Sequence, residues 1–365
     1  LAGGGTGGHI YPNLAVAEEV RHIAPDTEFL YLGTSRLEEK VVPASGIPFA
    51  RFPIRFSRRR MSRANLAYYA QAIPPIILGV PLVRSWSILS RFGPDAMIST
   101  GGYVGFFPML VAVFTNVPLF IIEPNRRAGW VNIFFSRRAA RVFVGFDATA
   151  SEFGFETATR SFGIPVRSRE GVDRARVLPS LGLRKERKTV LVVGGSQGSS
   201  FINDLVIGYL AAGSLGPIMR DVQIIHQTGE TDLPRMQEVA RKSSGRYAPL
   251  AYIDDLPSVL ACSDAFVGRS GASTVGEVIA FGVPALFVPL AGSVEGHQAE
   301  NAKDLSDAGA ALTLRESDAT AERFAESLSA LLNYEKAAAL RSRLKKLRKP
   351  SAQMIAEEVL AALRR

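Results

Sequence analysis

The sequence predicts an α/β protein built from two doubly wound parallel-sheet domains that face a cleft. Three observations predict it. Short, continuous apolar runs alternate with helical patterns along the chain, which is how strands of a parallel sheet covered on both faces read. The pattern restarts at Thr189 with a fresh strand and a fresh glycine loop. The length, 365 residues, is enough for two or three domains of roughly 150 each.

The elements follow in order. The chain opens on Gly3-Gly4-Gly5-Thr6-Gly7-Gly8-His9, a loop of the kind that follows a buried strand, so most of a first strand is expected to be missing and the N-terminus to be trimmed. A helix is expected over Asn13–His22, with Pro12 near its first turn. Strands are expected at Glu28–Leu32, Ala96–Ser99, Leu119–Ile122 and Val142–Val144, then at Thr189–Val193, Val222–His226, Ala265–Val267 and Ala285–Val288. Between them lie helical patterns at Phe201–Ala212, Leu256–Cys262 and Thr274–Phe281. The longest uncharged run, Gly101 to Ile122, approaches a membrane span in length. Pro108 and the turn Asn116-Val117-Pro118 break it into a helix over Pro108–Thr115 and a buried strand. The expected domains are 1–164 and 165–347, with a C-terminal helix over 348–365 packing back on the first.

Composition narrows the function. At 47% hydrophobic and 21% charged the chain buries real cores, which excludes wholesale disorder. The single cysteine, Cys262, excludes an internal disulfide framework and a multi-cysteine metal site; it is expected to be a small core residue. Net charge is +9, so anionic partners are expected. Residues 1–167 carry 18 Lys/Arg against 11 Asp/Glu, and the remainder 25 against 23, so the front half holds most of the surplus. No acidic residue occurs between Val41 and Pro94, where Arg55, Arg58, Arg59, Arg60 and Arg63 precede Ile73, Ile76, Ile77, Leu78, Val80, Leu82, Trp86 and Leu89. Cations beside apolar side chains suit an anionic membrane surface; the alternative is a core helix with solubilising arginines. Nucleic acid is not expected, because aromatic and basic residues are not interleaved.

Four glycine loops carry the chemistry. Gly3, Gly5 and Gly8 form G-x-G-x-x-G, but the strand that should end in a ribose-binding carboxylate runs instead into Gly33-Thr34-Ser35, which argues against a dinucleotide site. The others are Ser99–Gly105, Gly194-Gly195-Ser196-Gln197-Gly198, and Arg269-Ser270-Gly271-Ala272-Ser273-Thr274 leading to Glu277. Any one is an ordinary strand-to-helix turn. Four at strand ends point to a phosphate-bearing substrate. No D-x-D occurs, so neither a carboxylate-held metal nor any other cofactor is expected.

GGGTGGHIYP, STGGYVG, EPN, GGSQG, YIDDL, RSGASTVGE and HQAEN stand in the order and spacing of the MurG family, which the chain resembles over nearly its whole length. The resemblance implies a GT-B fold of two Rossmann-like domains. It implies inverting transfer of GlcNAc from UDP-GlcNAc to the MurNAc 4-hydroxyl of lipid I, giving lipid II at the cytoplasmic face of the plasma membrane, with other cell-wall synthesis proteins as further partners. A UDP-GlcNAc epimerase or hydrolase, another glycolipid-forming transferase of the same fold, and a non-catalytic basic binding protein are the alternatives.

The resemblance assigns His9 as general base or acceptor-orienting residue, against a histidine bonded to its own loop. It gives Glu123, with Asn125 and Tyr103, to the acceptor site, against a structural carboxylate and a packed ring. For UDP-GlcNAc it implies Thr6, Gly7, Gly8, Asn125, Arg167, Ser196, Gln197, Ala272 and Ser273, with Arg269 either a ligand or an ordinary ion-pairing residue. Glu277 would accept the ribose hydroxyls, the Ile253 backbone would read uracil, and His297 and Gln298, near Asn301, would choose sugar hydroxyls rather than merely cap a helix. The sequence departs from the family at Pro124, Ile164 and Ser273, where Gln, Asn and Leu are usual.

Overall fold

The computed structural model describes residues 1–52, 79–167, 171–211, 222–243, 245–292 and 296–364. The chain divides into two compact units, Leu1–Arg167 with Pro350–Arg365, and Ser168–Lys349.

In the first unit, β1 (Tyr31–Gly33) pairs with β2 (Phe49–Arg51), and β3 (Met97–Ser99), β4 (Leu119–Glu123), β5 (Arg141–Val144) and β6 (Thr159–Ser161) follow in that order. Ala2 joins the two sets, bridging in parallel to Leu32 and to Ser99. Strand order therefore reverses at residues 1–2, and both glycine loops of this unit leave the sheet there. β4 is buried along its whole length, as a continuous apolar strand between covered faces must be. Helix α1 (Gly7–Ile23) turns Ile10, Leu14, Val16 and Val20 inward. The C-terminal helix, Ser351–Leu363, sets Ile355, Ala356 and Val359 into a cluster with Val16, Val20, Phe120 and Phe143. Glu358 there accepts a 2.9 Å bond from Arg141 Nε. Helices α2 (Leu37–Ala44), α3 (Val80–Phe92), α4 (Gly102–Phe114) and α5 (Trp130–Ser136) complete the unit.

The second unit is one six-stranded, all-parallel sheet: β7 (Lys188–Val193), β8 (Val222–Gln227) and β9 (Tyr247–Leu250) on one side, β10 (Ala265–Gly268), β11 (Ala285–Phe287) and β12 (Leu312–Thr313) on the other. The order β9-β8-β7-β10-β11-β12 is that of a doubly wound dinucleotide-type sheet, with its switch point between β7 and β10. Its helices are α6 (Arg174–Ser180), α7 (Ser200–Ala211), α8 (Leu233–Arg241), α9 (Leu256–Ala261), α10 (Ala272–Phe281), α11 (His297–Asp307), α12 (Ala321–Leu332) and α13 (Tyr334–Leu347). Val190, Val192, Ile202, Val206, Phe324 and Leu328 form the centre of its core. Cys262 lies just past α9, 2% exposed, its thiol pushed up by burial.

Local expectation and structure differ in specific places. β2, β6, β9 and β12 are not among the expected strands: all four are short sheet edges, where one face need not be apolar, and β9 also carries Pro249. Helix α1 starts at Gly7 and α4 at Gly102, both well before the expected positions, so Pro12 and Pro108 sit inside helices. Glycines at the helix starts mask the apolar period there, while tertiary burial outweighs the missing proline amide. Among the described residues no helix is long and apolar enough to cross a membrane. Arg58, Arg59, Arg60, Ile76 and Leu78 lie outside the described residues.

Candidate functional site

Each unit presents its own half of the chemistry, at its own switch point.

In the second unit the loop leaving β7 is held by backbone packing. Gly198 has φ +78°, and a Cβ there would collide with the Thr228 carbonyl oxygen, so only glycine allows this approach. Behind the loop lies Gln227, 3% exposed. Its Nε2 donates to the Gly195 carbonyl at 2.7 Å, and its Oε1 accepts from the Ile253 amide at 2.8 Å. The amides of Gly195, Ser196 and Gln197 make no bond to any described residue, and Ser196 and Gln197 are exposed. Three unspent amides before the N-terminus of α7 form a cradle for an anion.

Arg269 is bound on several sides by its own unit. It is 7% exposed; Nη1 donates to the Val288 carbonyl at 2.9 Å and pairs with Glu316 at 2.6 Å, and Nη2 donates to Ser199 Oγ at 2.8 Å. Its guanidinium also lies over the Phe201 ring, 5.9 Å from the centroid. A guanidinium so committed is a strut between the β7 loop and the end of β11. The ion-pairing alternative describes it.

The Ile253 amide is given to Gln227, with the Ile253 carbonyl beside it. Ser270 Oγ donates to the Gln298 carbonyl at 2.6 Å, and Asn301 Nδ2 donates to the Ser270 carbonyl at 3.1 Å, so the first turn of α11 is tied to the end of β10. Gln298 Oε1 accepts from the Leu290 amide at 3.1 Å. His297 opens this helix, partly buried. Ala272 and Ser273 form the first turn of α10, and Glu277, 8% exposed, follows on the same helix.

In the first unit a buried carboxylate takes one amide of the corresponding loop. Glu38, fully buried on α2, accepts from the Gly5 amide at 3.1 Å, the Thr34 amide at 3.0 Å and Thr34 Oγ1 at 2.5 Å. The His9 carbonyl accepts from Thr100 Oγ1 at 2.7 Å, and Asn13 Nδ2 donates to the Ala2 carbonyl at 2.9 Å, pinning the start of α1 to the sheet. His9 itself is partly exposed. Its Nδ1 lies 3.2 Å from Thr6 Oγ1, and its Nε2 edge lies against Gly102. The Tyr103 ring covers Gly5, and Arg167 stands 5.2 Å over the Tyr11 ring, beside Gly7. Gly8 completes the first turn of α1.

Glu123 is not an open base. It is 1% exposed; Oε1 accepts from the Asn125 amide at 3.0 Å and Asn125 Nδ2 at 3.2 Å, and Oε2 from the Gly129 amide and Asn132 Nδ2, both at 2.8 Å. Burial pushes its carboxyl above the usual range, and these four donors pull it back. Through these bonds it shapes the Asn125 loop. Asn125 Oδ1 accepts no bond from a described residue. Pro124 and Ile164 both pack on Gly145: a Cβ there would meet the Pro124 carbonyl oxygen and Ile164 Cγ1 at 2.7 Å each.

Glu38, Asn132 and Gln227 escaped sequence reasoning. For Glu38 a signal exists: Ser35-Arg36-Leu37-Glu38 has the form of a capping box, whose glutamate reaches back to backbone amides. Asn132 and Gln227 sit within apolar patterns and announce nothing.

One more surface stands out in the first unit. Val80, Val83 and Trp86 repeat every third residue on α3, Val83 at 68% exposure. Phe114 ends α4, and Trp130, Ile133 and Phe134 lie exposed on α5, with Phe106 in ring contact with Trp130 and Phe134. These three helices carry no carboxylate, and Arg84, Arg91, Arg127, Arg137 and Arg138 are exposed on or beside them.

Comparison with known proteins follows the same division. The model of the glycosyltransferase family 28 N-terminal domain matches residues 1–144, and that of the family 28 C-terminal domain matches residues 189–359. Relatives named UDP-N-acetylglucosamine–N-acetylmuramyl-(pentapeptide) pyrophosphoryl-undecaprenol N-acetylglucosamine transferase include that of Leuconostoc citreum, 34% identical over 91% of this chain and 89% of its own. That of Bacillus subtilis is 32% identical over 100% and 99%. Among solved structures, Acinetobacter baumannii MurG superposes with a TM-score of 0.72 at 25% identity, covering 98% of this chain and 97% of its own. The kitacinnamycin glycosyltransferase, TM-score 0.67 at 16% identity over 98% and 96%, shares the fold.

Proposed function

The chain belongs to the MurG family of N-acetylglucosamine transferases, within glycosyltransferase family 28, and from that premise we propose how its two units divide the work. The protein is a hexosyltransferase of GT-B fold that moves GlcNAc from UDP-GlcNAc to lipid I, forming lipid II. An epimerase, another glycolipid synthase and a non-catalytic binding protein are not favoured.

The observation that carries the division is the buried group behind each loop. In the second unit it is a neutral amide, Gln227, beneath a loop whose Gly195, Ser196 and Gln197 amides meet no described residue. In the first, the Gly5 amide is bound to Glu38, and a second buried carboxylate, Glu123, lies behind the neighbouring loop. Free amides stabilise a diphosphate, while buried carboxylates repel one and tolerate a neutral hydroxyl. UDP therefore belongs to the second unit and the acceptor sugar to the first.

On this reading Ser196, Gln197, Ala272 and Ser273 take the diphosphate with backbone amides. Glu277 accepts the ribose hydroxyls, the Ile253 carbonyl accepts uracil N3–H, and His297 and Gln298 contact the sugar. The acceptor oxygen bonds to C1 of GlcNAc as the C1–O bond to UDP breaks, and the electron pair leaves on UDP. Thr6 Oγ1 orients His9 through Nδ1, and His9 takes the hydroxyl proton. Tyr103 and Asn125 orient the acceptor, Gly7 and Gly8 border its hydroxyl, and Arg167 supplies a cation to a diphosphate. The α3–α5 face with its arginines meets an anionic membrane as a peripheral surface, each basic residue near the lipid contributing roughly 1 kcal/mol.

The test is transfer itself. Purified protein with UDP-GlcNAc and a lipid I analogue should yield lipid II and release UDP only when acceptor is present. UDP release independent of acceptor would point to hydrolysis, and no product from folded protein would sink the reading.

A further inference from the structure

His9 is tied down by its main chain as well as by its ring. Thr100, wholly buried just past β3, donates from Oγ1 to the His9 carbonyl at 2.7 Å. Tyr31 Oη, on β1, stands farther from the same oxygen at 3.4 Å, and Asn13 Nδ2 at 3.5 Å. Asn13 makes a shorter bond to the Ala2 carbonyl, at 2.9 Å. Gly3 closes the remaining side, since a Cβ there would collide with Thr100 Oγ1 and the His9 carbonyl oxygen. Thr100, Tyr31, Asn13 and Ala2 are all 0% exposed, so the Thr100 bond is sealed from solvent.

A helical carbonyl needs only the amide four residues on, so α1 can form without Thr100. Its first turn is nevertheless weak, because Pro12 brings no amide to the Gly8 carbonyl. The Thr100 hydroxyl ties that turn to the loop after β3, which continues into Gly101, Gly102 and Tyr103. A Cβ on Gly102 would lie 3.5 Å from His9 Nε2, and the Tyr103 ring covers Gly5. One short segment thus holds the His9 main chain, borders its ring and carries an acceptor residue. We propose that Thr100 is a positioning residue for transfer, acting through His9. Its bond to the His9 carbonyl fixes the distance between the imidazole and an acceptor hydroxyl held at residues 101–103. This rests on the assignment of His9 as proton acceptor in the first unit and deepens it.

A double-mutant cycle separates this from general support of the fold. Thr100→Val removes the hydroxyl at nearly constant shape, and Thr100→Ser keeps it. Each is made in the wild-type protein and in His9→Ala, and transfer from UDP-GlcNAc to a lipid I analogue is followed at steady state, with UDP titrated calorimetrically. Thr100→Val should lower kcat by about 10–100-fold, the cost of misplacing a reacting group by about 1 Å. Its UDP affinity and UDP-GlcNAc KM should stay within about twofold of wild type, since lost positioning falls on the transition state rather than on donor binding. Thr100→Ser should recover kcat to within about threefold, because the hydroxyl is restored. In the His9→Ala background Thr100→Val should cost less than about twofold further, because a residue acting through His9 has nothing left to position.

A wild-type kcat in Thr100→Val, with His9→Ala impaired, overturns the proposal while leaving the functional reading intact. An equal loss from Thr100→Val with and without the His9 ring also overturns it, since loosening of the sheet then explains the effect. So does a Thr100→Ser variant as slow as Thr100→Val. A His9→Ala variant as active as wild type removes His9 from the reaction, and the proposal with it. Should Thr100→Val fail to fold, Thr100→Ala takes its place in the same cycle: a loss that vanishes in His9→Ala supports the proposal, and one that persists overturns it.

Discussion

The two switch points look alike in sequence and differ in what stands behind them. Behind the first unit's loops are two buried carboxylates, Glu38 and Glu123, each gathering amides toward itself. Behind the second unit's loop is a neutral amide, Gln227, and an arginine already neutralised by Glu316. The first arrangement spends the Gly5 amide on a carboxylate; in the second the Gly195, Ser196 and Gln197 amides meet no described residue. A glycine-rich turn therefore marks where a backbone can approach something, and the buried polar partner decides what.

The comparison breaks most visibly at the reacting groups. His9→Ala should lower turnover by about 10²–10⁴ with UDP affinity unchanged, in steady-state kinetics paired with calorimetry. Full activity would remove His9 from the chemistry. Glu277→Ala should do the converse, weakening UDP-GlcNAc by about 10–100-fold through lost hydrogen bonds to a charged group. Unchanged affinity would dismiss the ribose assignment.

A matched pair of glycine substitutions sharpens it. Gly101→Ala and Gly198→Ala each place a Cβ into a neighbour at positive φ, against Asn132 and the Thr228 carbonyl respectively. The first should raise the acceptor KM and the second the UDP-GlcNAc KM, each by about tenfold or more. If both variants shift the same substrate, the division between units is wrong.

Acid separates the units by sign. His226 is buried in the second unit, bonded to Tyr247 at 2.8 Å, and burial lowers its pKa from 6.5 to about 3. The folded unit keeps it neutral while the unfolded chain protonates below about 6.5, so stability is full above that pH and falls as pH drops toward 3. The loss approaches tenfold in the folding equilibrium per pH unit. Glu123, raised by burial, acts oppositely, since protonation relieves a buried charge. Hydrogen exchange followed from pH 7 to pH 4 should show the second unit opening first, and His226→Leu should flatten its slope. The smallest effect is at the membrane: Trp130→Ser with Phe134→Ser should weaken binding to anionic vesicles several-fold without changing UDP affinity. Binding equal to wild type would detach α5 from that surface.

The sequence by itself determined the class of fold, the order of its central strands and the four loops, because a buried parallel strand and the turn that ends it are local patterns with few alternatives. It also placed Thr6, His9, Ser196, Gln197 and Glu277 beside those loops. It left open whether Arg269 and Glu123 face a ligand or the protein, and it gave no hint of Gln227 or Asn132. Those questions were decided by tertiary structure, for one reason. A polar side chain has the same composition whether its hydrogen bonds point inward or outward, and only the packing of distant segments (Ser199 and Glu316 around Arg269, Gly129 and Asn132 around Glu123) shows which donors and acceptors are already spent.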